Sequence, residues 1–305
     1  MQRSRLLSLL AGGALALVCA AMLFPIVSTV LLSLKGEADV HTLPPRLLPC
    51  DPPAPGGFLP TCRFVGEGYG RVALIRPADN ALGLRVEGRI LTTYLPNTLL
   101  YATSSALLVT LVSALSAYAY SRFRFRGRQA LLLGTILIGG VPLLTMLLAL
   151  TQVGNTLRRA LPVYDDRLFM VVVYVGFELP FAIWVVKGFF DTIPRELEEA
   201  ALIDGCSPVG ALARVVAPLA LPGLLSIFLL CFVGVWNDFT LNYVLLNKQA
   251  LRGAIYGIYA FIASSGISYN ALAAACVIVM LPPVAVFLLT RRAFFVSLVE
   301  GGLKG

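Results

Sequence analysis

Six stretches of this chain each run for about twenty or more residues that are almost all apolar, the length a helix needs to cross the hydrocarbon core of a bilayer. They fall at 6–34, 94–120, 130–150, 168–186, 219–246 and 271–290. Lipid offers no partner for backbone N–H and C=O groups, so runs like these read as helices that satisfy their own backbone. Composition agrees. The 305 residues are 58% hydrophobic and 13% charged, whereas soluble domains carry about 25% charged residues. A mean hydropathy of +0.84 leaves an integral membrane protein as the only broad class that fits.

The formal net charge is +8, which raises nucleic acid as a partner. The basic residues, however, cluster beside the apolar runs, where they set membrane orientation. Arg3 and Arg5, the cluster from Arg122 to Arg128, then Lys187, Arg195 and Arg214, and finally Arg291 and Arg292 all fall on one side. That side is expected to be the cytoplasm. Six spans then put both termini there, with the segments 35–92, 151–167 and 247–269 outside. Arg3 and Arg5 before an apolar run also begin like a signal peptide, but this run exceeds the ~7–15 residues of a signal core. A retained first span is therefore expected. The domain reading is a first transmembrane helix at 1–34, a periplasmic loop at 35–92, a core membrane domain at 93–298 with a cytoplasmic loop at 191–214, and a cytoplasmic tail at 299–305.

Few residues offer chemistry. The single histidine, His41, lies in the outer loop, so neither a histidine-based zinc site nor a Ser-His-Asp arrangement is expected in the membrane. No G-x-x-x-x-G-K-[ST] loop and no G-x-S-x-G is present. The chain is expected to be no enzyme and to bind no cofactor or metal, with energy coming from a partner or an ion gradient. Cys19, Cys206, Cys231 and Cys276 stand alone and read as small apolar fillers. Cys50 and Cys62 flank a Pro- and Gly-rich stretch and are either a disulfide or two free thiols.

The cytoplasmic loop is the most informative segment. Pro194 suits the first turn of a helix, and Glu196, Glu198 and Glu199 follow it near the positive dipole end. Gly205 can take the left-handed conformation that closes that helix, and Ser207-Pro208 can open another. Ala200 and Ala201 leave a surface free of bulky side chains. On physics alone this is either an ordinary loop or a docking element.

Glu199-Ala200-Ala201, then Asp204-Gly205, then Pro218-Leu219 and Pro222, resemble the EAA loop of ABC importer permeases. Cys206 departs from the family, which usually has Ala there. The resemblance extends to Asn97-Thr98-Leu99, to the run from Ala117 to Gly127, and to Leu179-Pro180-Phe181-Ala182-Ile183-Trp184 with Lys187-Gly188-Phe189-Phe190. That last stretch, from Leu179 to Phe190, and Trp236-Asn237-Asp238-Phe239 resemble carbohydrate-type permeases in particular. The tail from Glu300 to Gly305 resembles that of the smaller permease of the maltose importer.

The resemblance implies an all-α, six-span type I ABC importer permease. It further implies that Glu199, Ala200, Ala201, Asp204 and Gly205 couple to a separate ATPase that uses ATP and Mg. Gly302, Leu303, Lys304 and Gly305 would reach the ATPase interface, and the segment near 247–256 would meet the binding protein's sugar cleft. The implied partners are a second homologous permease, two ATPase subunits and a periplasmic solute-binding protein, with a disaccharide or oligosaccharide such as maltose or trehalose as solute.

Two polar sites inside the apolar runs need a reason. Glu178 sits mid-span, where a charge costs about 2.5–3.5 kcal/mol on insertion scales. It either lines the solute path or pairs across a permease dimer, or it only holds helices together. Trp236, Asn237 and Asp238 suit sugar rings and hydroxyls as pore contacts.

Overall fold

A computed structural model describes residues 2–42, 48, 50–51, 61–73, 89–263 and 268–302. In chain order the helices are α1 (Gln2–Ser33), α2 (Glu37–Val40), α3 (Glu67–Ala73), α4 (Leu95–Arg122), α5 (Arg128–Gly139), α6 (Leu143–Ala160) and α7 (Asp166–Thr192). They continue as α8 (Arg195–Ile203), α9 (Pro208–Ala211), α10 (Ala217–Leu219), α11 (Leu221–Trp236), α12 (Thr240–Leu245), α13 (Ala254–Ala263) and α14 (Tyr269–Gly302). Turns of wider π-helix at Ile90–Tyr94 and Leu212–Val216 lead into α4 and α10.

Among the described residues four helical segments are long and apolar enough to cross a membrane: Leu9–Ser33, Ile90–Arg122, Asp166–Thr192 and Tyr269–Arg292. Two bent pairs, α5 with α6 at 91° and Pro208–Leu219 with α11 at 80°, raise the number to six if each is one span. The expected third span at 130–150 is thus not one straight rod. Gly139 and Gly140 end α5, and a Cβ on Gly139 would come within 3.2 Å of Pro180, so the helix end lies tight against α7. Pro142 then opens α6 in an extended conformation with no N–H to extend the earlier helix. The expected fifth span at 219–246 divides as well. α11 stops at Trp236, and the side chain of Asp238 accepts the N–H groups of Leu241 and Asn242 to start α12.

The chain forms two compact units, Met1–Thr92 with Gly257–Leu281 and Thr93–Tyr256 with Pro282–Gly305. In the second unit α4 packs along both α7 and α11. Its inward face is small or hydroxylated (Ala102, Ser105, Ala106, Val109, Ser113, Ala117), which lets the neighbouring helices approach closely. Burying large apolar surface gains little against lipid, so close backbone approach carries the packing.

In the first unit, α1 has apolar residues exposed on every side, as a lipid-facing helix would. The segment after it, read from sequence as an outer loop, carries structure. Cys50–Asp51 pairs antiparallel with Thr61–Cys62, and the two cysteines are joined in a disulfide. The Ser33 and Tyr69 hydroxyls meet at 2.8 Å, and the backbone of Gly68 lies against Asn270, where a Cβ would be 2.6 Å from the carbonyl oxygen. The Glu37 carboxylate accepts the N–H groups of Tyr269 (3.1 Å) and Asn270 (3.4 Å) together with the Ser268 hydroxyl (2.8 Å). It therefore caps the free donors at the start of α14. His41 stands 3.5 Å from the same carboxylate.

Candidate functional site

The loop at 191–214 folds as a compact hairpin of short helices on the second unit. α8 ends in a Schellman motif: Gly205 N–H bonds to Leu202 O (3.1 Å) and Cys206 N–H to Ala201 O (3.0 Å). The motif requires a left-handed residue, and Gly205 supplies it at φ +88°. Ser207 then accepts the N–H of Gly210 at 3.1 Å, with Pro208 in the first helical position, so α9 starts three residues after Gly205.

One face of α8 is fixed to the membrane helices. Glu198 and Ala201, three apart and hence on the same face, are buried. Glu198 Oε2 pairs with Arg122 Nε at 2.7 Å, with only 8% and 9% of the two side chains exposed. The Tyr118 hydroxyl donates to Glu198 Oε1 at 2.5 Å and also lies 3.1 Å from the Pro208 carbonyl oxygen, so one residue of α4 touches both α8 and α9. Arg122 further donates to Ile193 O (3.1 Å), and Arg195 donates to Ser121 O (3.0 Å) at the carbonyl end of α4. Asp191 accepts from Ser121 (2.6 Å) and Lys187 (2.5 Å). The ends of α4 and α7 and the start of α8 thus form one polar knot.

The opposite face is open. Glu199, Ala200, Asp204 and Gly205 are exposed, as are Leu197, Leu202, Val209 and, at 86%, Ile203. Of the five residues named for coupling, the structure brings these four to the open face and turns Ala201 inward. Sequence reasoning missed the anchor. Arg122 read as an orientation charge and Glu198 as one of three dipole-favouring acids. Its spacing of three from Ala201 was the available signal. Of the named tail, Gly302 ends α14, while Leu303, Lys304 and Gly305 lie outside the described residues.

The membrane-embedded candidates separate. Glu178 is half-buried and lies against α11. Gly234 leaves room for it, since a Cβ there would be 3.0 Å from its carboxylate oxygen. Trp236, read as a pore contact, is instead 2% exposed and stacks on Phe232 at 5.3 Å, a core position in this chain. Asn237 is exposed and its amide returns to Val233 O.

Asp238 is turned inward as a hub. Tyr174 donates to it at 2.8 Å, and Asn242 donates to Tyr174 at 2.6 Å. Asn242 also accepts the N–H of Gly253 at 3.1 Å, while Thr98 accepts the N–H of Ala254 at 2.7 Å. Asn97 donates to the carbonyls of Ala250 and Arg252, and Tyr101 to that of Leu251. The Arg252 guanidinium lies over Tyr256 at 4.2 Å and Tyr243 at 5.2 Å. The segment 250–254 is thereby clamped to the start of α4, which gives a physical reason for Asn97-Thr98. Only Gly fits at 253, because a Cβ would come within 2.6 Å of Thr98 Oγ1.

Among the described residues no group of histidine, cysteine, aspartate and glutamate is arranged to hold a metal. The arrangement joins an exposed hairpin to the ends of α4 and α7 through buried polar contacts.

Residues 106–295 match the family described as binding-protein-dependent transport system inner membrane component. The maltodextrin transport system permease protein MdxG of Bacillus subtilis (strain 168) is 33% identical over 68% of this chain and 74% of its own. The trehalose transport system permease protein SugB of Mycobacterium tuberculosis (strain CDC 1551 / Oshkosh) is 30% identical over 74% of this chain and 82% of its own. A chain in the crystal structure of a bacterial ABC transporter for import of the acidic polysaccharide alginate superposes with a TM-score of 0.69 at 21% identity. That match covers 96% of this chain and 98% of that one, and at this identity it speaks for a shared fold.

Proposed function

The chain belongs to the binding-protein-dependent transport system inner membrane components, as a permease subunit of a sugar ABC importer, and from that premise we propose that it forms half of an alternating-access pore driven through the α8–α9 hairpin. One observation carries this reading: the hairpin is locked to α4 by the buried Arg122–Glu198–Tyr118 set while its other face offers Leu202, Ile203 and Val209. An apolar tip held this rigidly serves as a lever for a second protein, and six spans in one chain make half a pore.

In this reading a homologous permease supplies the other half, and two copies of an ATPase dock beneath, bringing the site for ATP and Mg. Both termini and the hairpin face the cytoplasm, and the tail at 302–305 reaches the ATPases. A periplasmic binding protein delivers a disaccharide or oligosaccharide; the named relatives make maltodextrin-like and trehalose-like solutes the first to try. ATP-driven closure draws the hairpins together, and the knot at Asp191, Ser121 and Arg122 passes that movement to α4 and α7. Glu178 holds α7 to α11 across Gly234, so that the two move as one.

The test is recovery of partners from mild detergent with the tagged chain. A second permease and a soluble ATPase in stoichiometric amounts are expected, with the ATPase lost in Ile203→Asp and Gly205→Val. A chain that purifies alone and transports without ATP would sink the proposal. Uptake of labelled maltose, maltodextrin and trehalose into proteoliposomes then ranks the solutes.

A further inference from the structure

Between α4 and α5 the chain reads Arg122-Phe123-Arg124-Phe125-Arg126-Gly127-Arg128, and the hairpin anchor uses only Arg122. The two phenylalanines fold back on tyrosines of α4. Phe123 meets Tyr118 edge-on at 5.8 Å, and Phe125 lies against Tyr120 at 5.9 Å. Both rings stay about half open, at 48% and 42% exposure. Arg124 and Arg126 are exposed and pair with no acidic group among the described residues.

Gly127, at φ +82°, turns the chain so that α5 begins at once. α5 buries none of its side chains, and Leu131, Leu133, Leu137 and Ile138 are all more than half exposed. Two unpaired guanidinium groups therefore stand just ahead of an apolar helix, alternating in sequence with half-exposed aromatic rings. Aromatic rings favour the headgroup depth of a bilayer, and arginine there keeps its charge in the polar zone. Guanidinium also binds phosphate oxygens in a two-pronged fashion that lysine does not match.

We propose that Arg124 and Arg126 form a site for the phosphate headgroup of an anionic phospholipid whose acyl chains lie along α5. This goes beyond the transport reading and depends on the chain spanning a bilayer with the exposed face of α5 turned to lipid rather than to a second permease. Continuity with the exposed apolar surface of α5 favours a lipid over an acidic protein surface, which would leave that face uncovered.

The test is native mass spectrometry of the full chain, purified with its accompanying subunits, after addition of phosphatidylglycerol or phosphatidylcholine with matched acyl chains. The unaltered protein is expected to retain phosphatidylglycerol preferentially. Arg124→Gln with Arg126→Gln should weaken that retention about 30-fold and leave phosphatidylcholine unchanged. Arg124→Lys with Arg126→Lys should fall between the unaltered protein and the glutamine pair, since the charge remains and the two-pronged geometry is lost. Equal retention of both lipids by the unaltered protein overturns the proposal, as does an unchanged preference in the glutamine pair. A glutamine pair that keeps its lipid preference but loses the ATPase also overturns it and gives the surface to that subunit. If the glutamine pair does not fold, salt titration of the unaltered protein decides: a preference that fades toward about 0.5 M salt supports the site, and one indifferent to salt overturns it.

Discussion

Removing one half of the Arg122–Glu198 pair should do more harm than removing both. The two groups lie 2.7 Å apart with less than a tenth of either side chain exposed, so water cannot take over for a lost partner. Truncating one member of such a pair costs about 3–5 kcal/mol, because the remaining charge stays buried and uncompensated. Glu198→Leu should fall near the low end of that range, since Arg122 keeps the Ile193 carbonyl. Arg122→Met should cost more, leaving the buried carboxylate with the Tyr118 hydroxyl as its hydrogen-bond donor. An apolar replacement of both partners is often close to neutral, so Glu198→Leu with Arg122→Met should recover about 2 kcal/mol or more relative to the sum of the single changes. The assay is a double-mutant cycle on thermal unfolding in detergent, run beside solute-stimulated ATP hydrolysis in proteoliposomes. Both readouts should show the recovery if α8 acts through this anchor. Strictly additive losses would refute the view that the pair is one buried unit. Recovery of stability without recovery of coupling would refute its role in transmission.

Gly253→Ala forces a Cβ to within 2.6 Å of Thr98 Oγ1 and 3.2 Å of Asn242 Oδ1. A loss of about 1–3 kcal/mol is expected, read as a lowered melting temperature. An unchanged midpoint would show that the 250–254 clamp yields easily. Gly205→Ala places a side chain at φ +88°, costing about 1–2 kcal/mol locally. Protease sensitivity at the hairpin should rise while the rest of the chain keeps its cleavage pattern. Glu37→Ala removes the cap from the first donors of α14 and should cost about 1 kcal/mol. Faster hydrogen exchange at Tyr269 and Asn270 checks it, and unchanged exchange there would show that water caps the helix equally well.

The helical class and the positions of the apolar runs were legible because about twenty consecutive apolar residues permit so few structures. The breaks inside two of those runs were not, although their causes stood in the sequence. Gly139-Gly140 with Pro142, and Asp238 after Trp236, are turn and cap residues whose force emerges only once their contacts are known. The hairpin was legible from Pro194, Gly205 and Ser207-Pro208, each fixing a local backbone state. Its inward face was not, because burial of Glu198 depends on Arg122, seventy-six residues earlier in the chain. Trp236 shows the opposite limit. Its residue type suits a sugar ring, and only its stack on Phe232 places it in the core. The segment after α1 offered least, since its polar composition concealed Glu37, whose partners lie at the far end of the sequence.

That distance has a consequence for how the protein is made. Glu37 emerges from the ribosome with the first span, and Tyr269, the residue whose amide it receives, comes 232 positions later. At ordinary synthesis rates the carboxylate waits on the order of tens of seconds for its ligand. The first span is thus laid down as an open bracket that only the last helix can close. A chain that stops short of residue 269 carries the acid but not the amides it serves. Arrival of the final apolar run is thereby written into a contact that a chain without it cannot form.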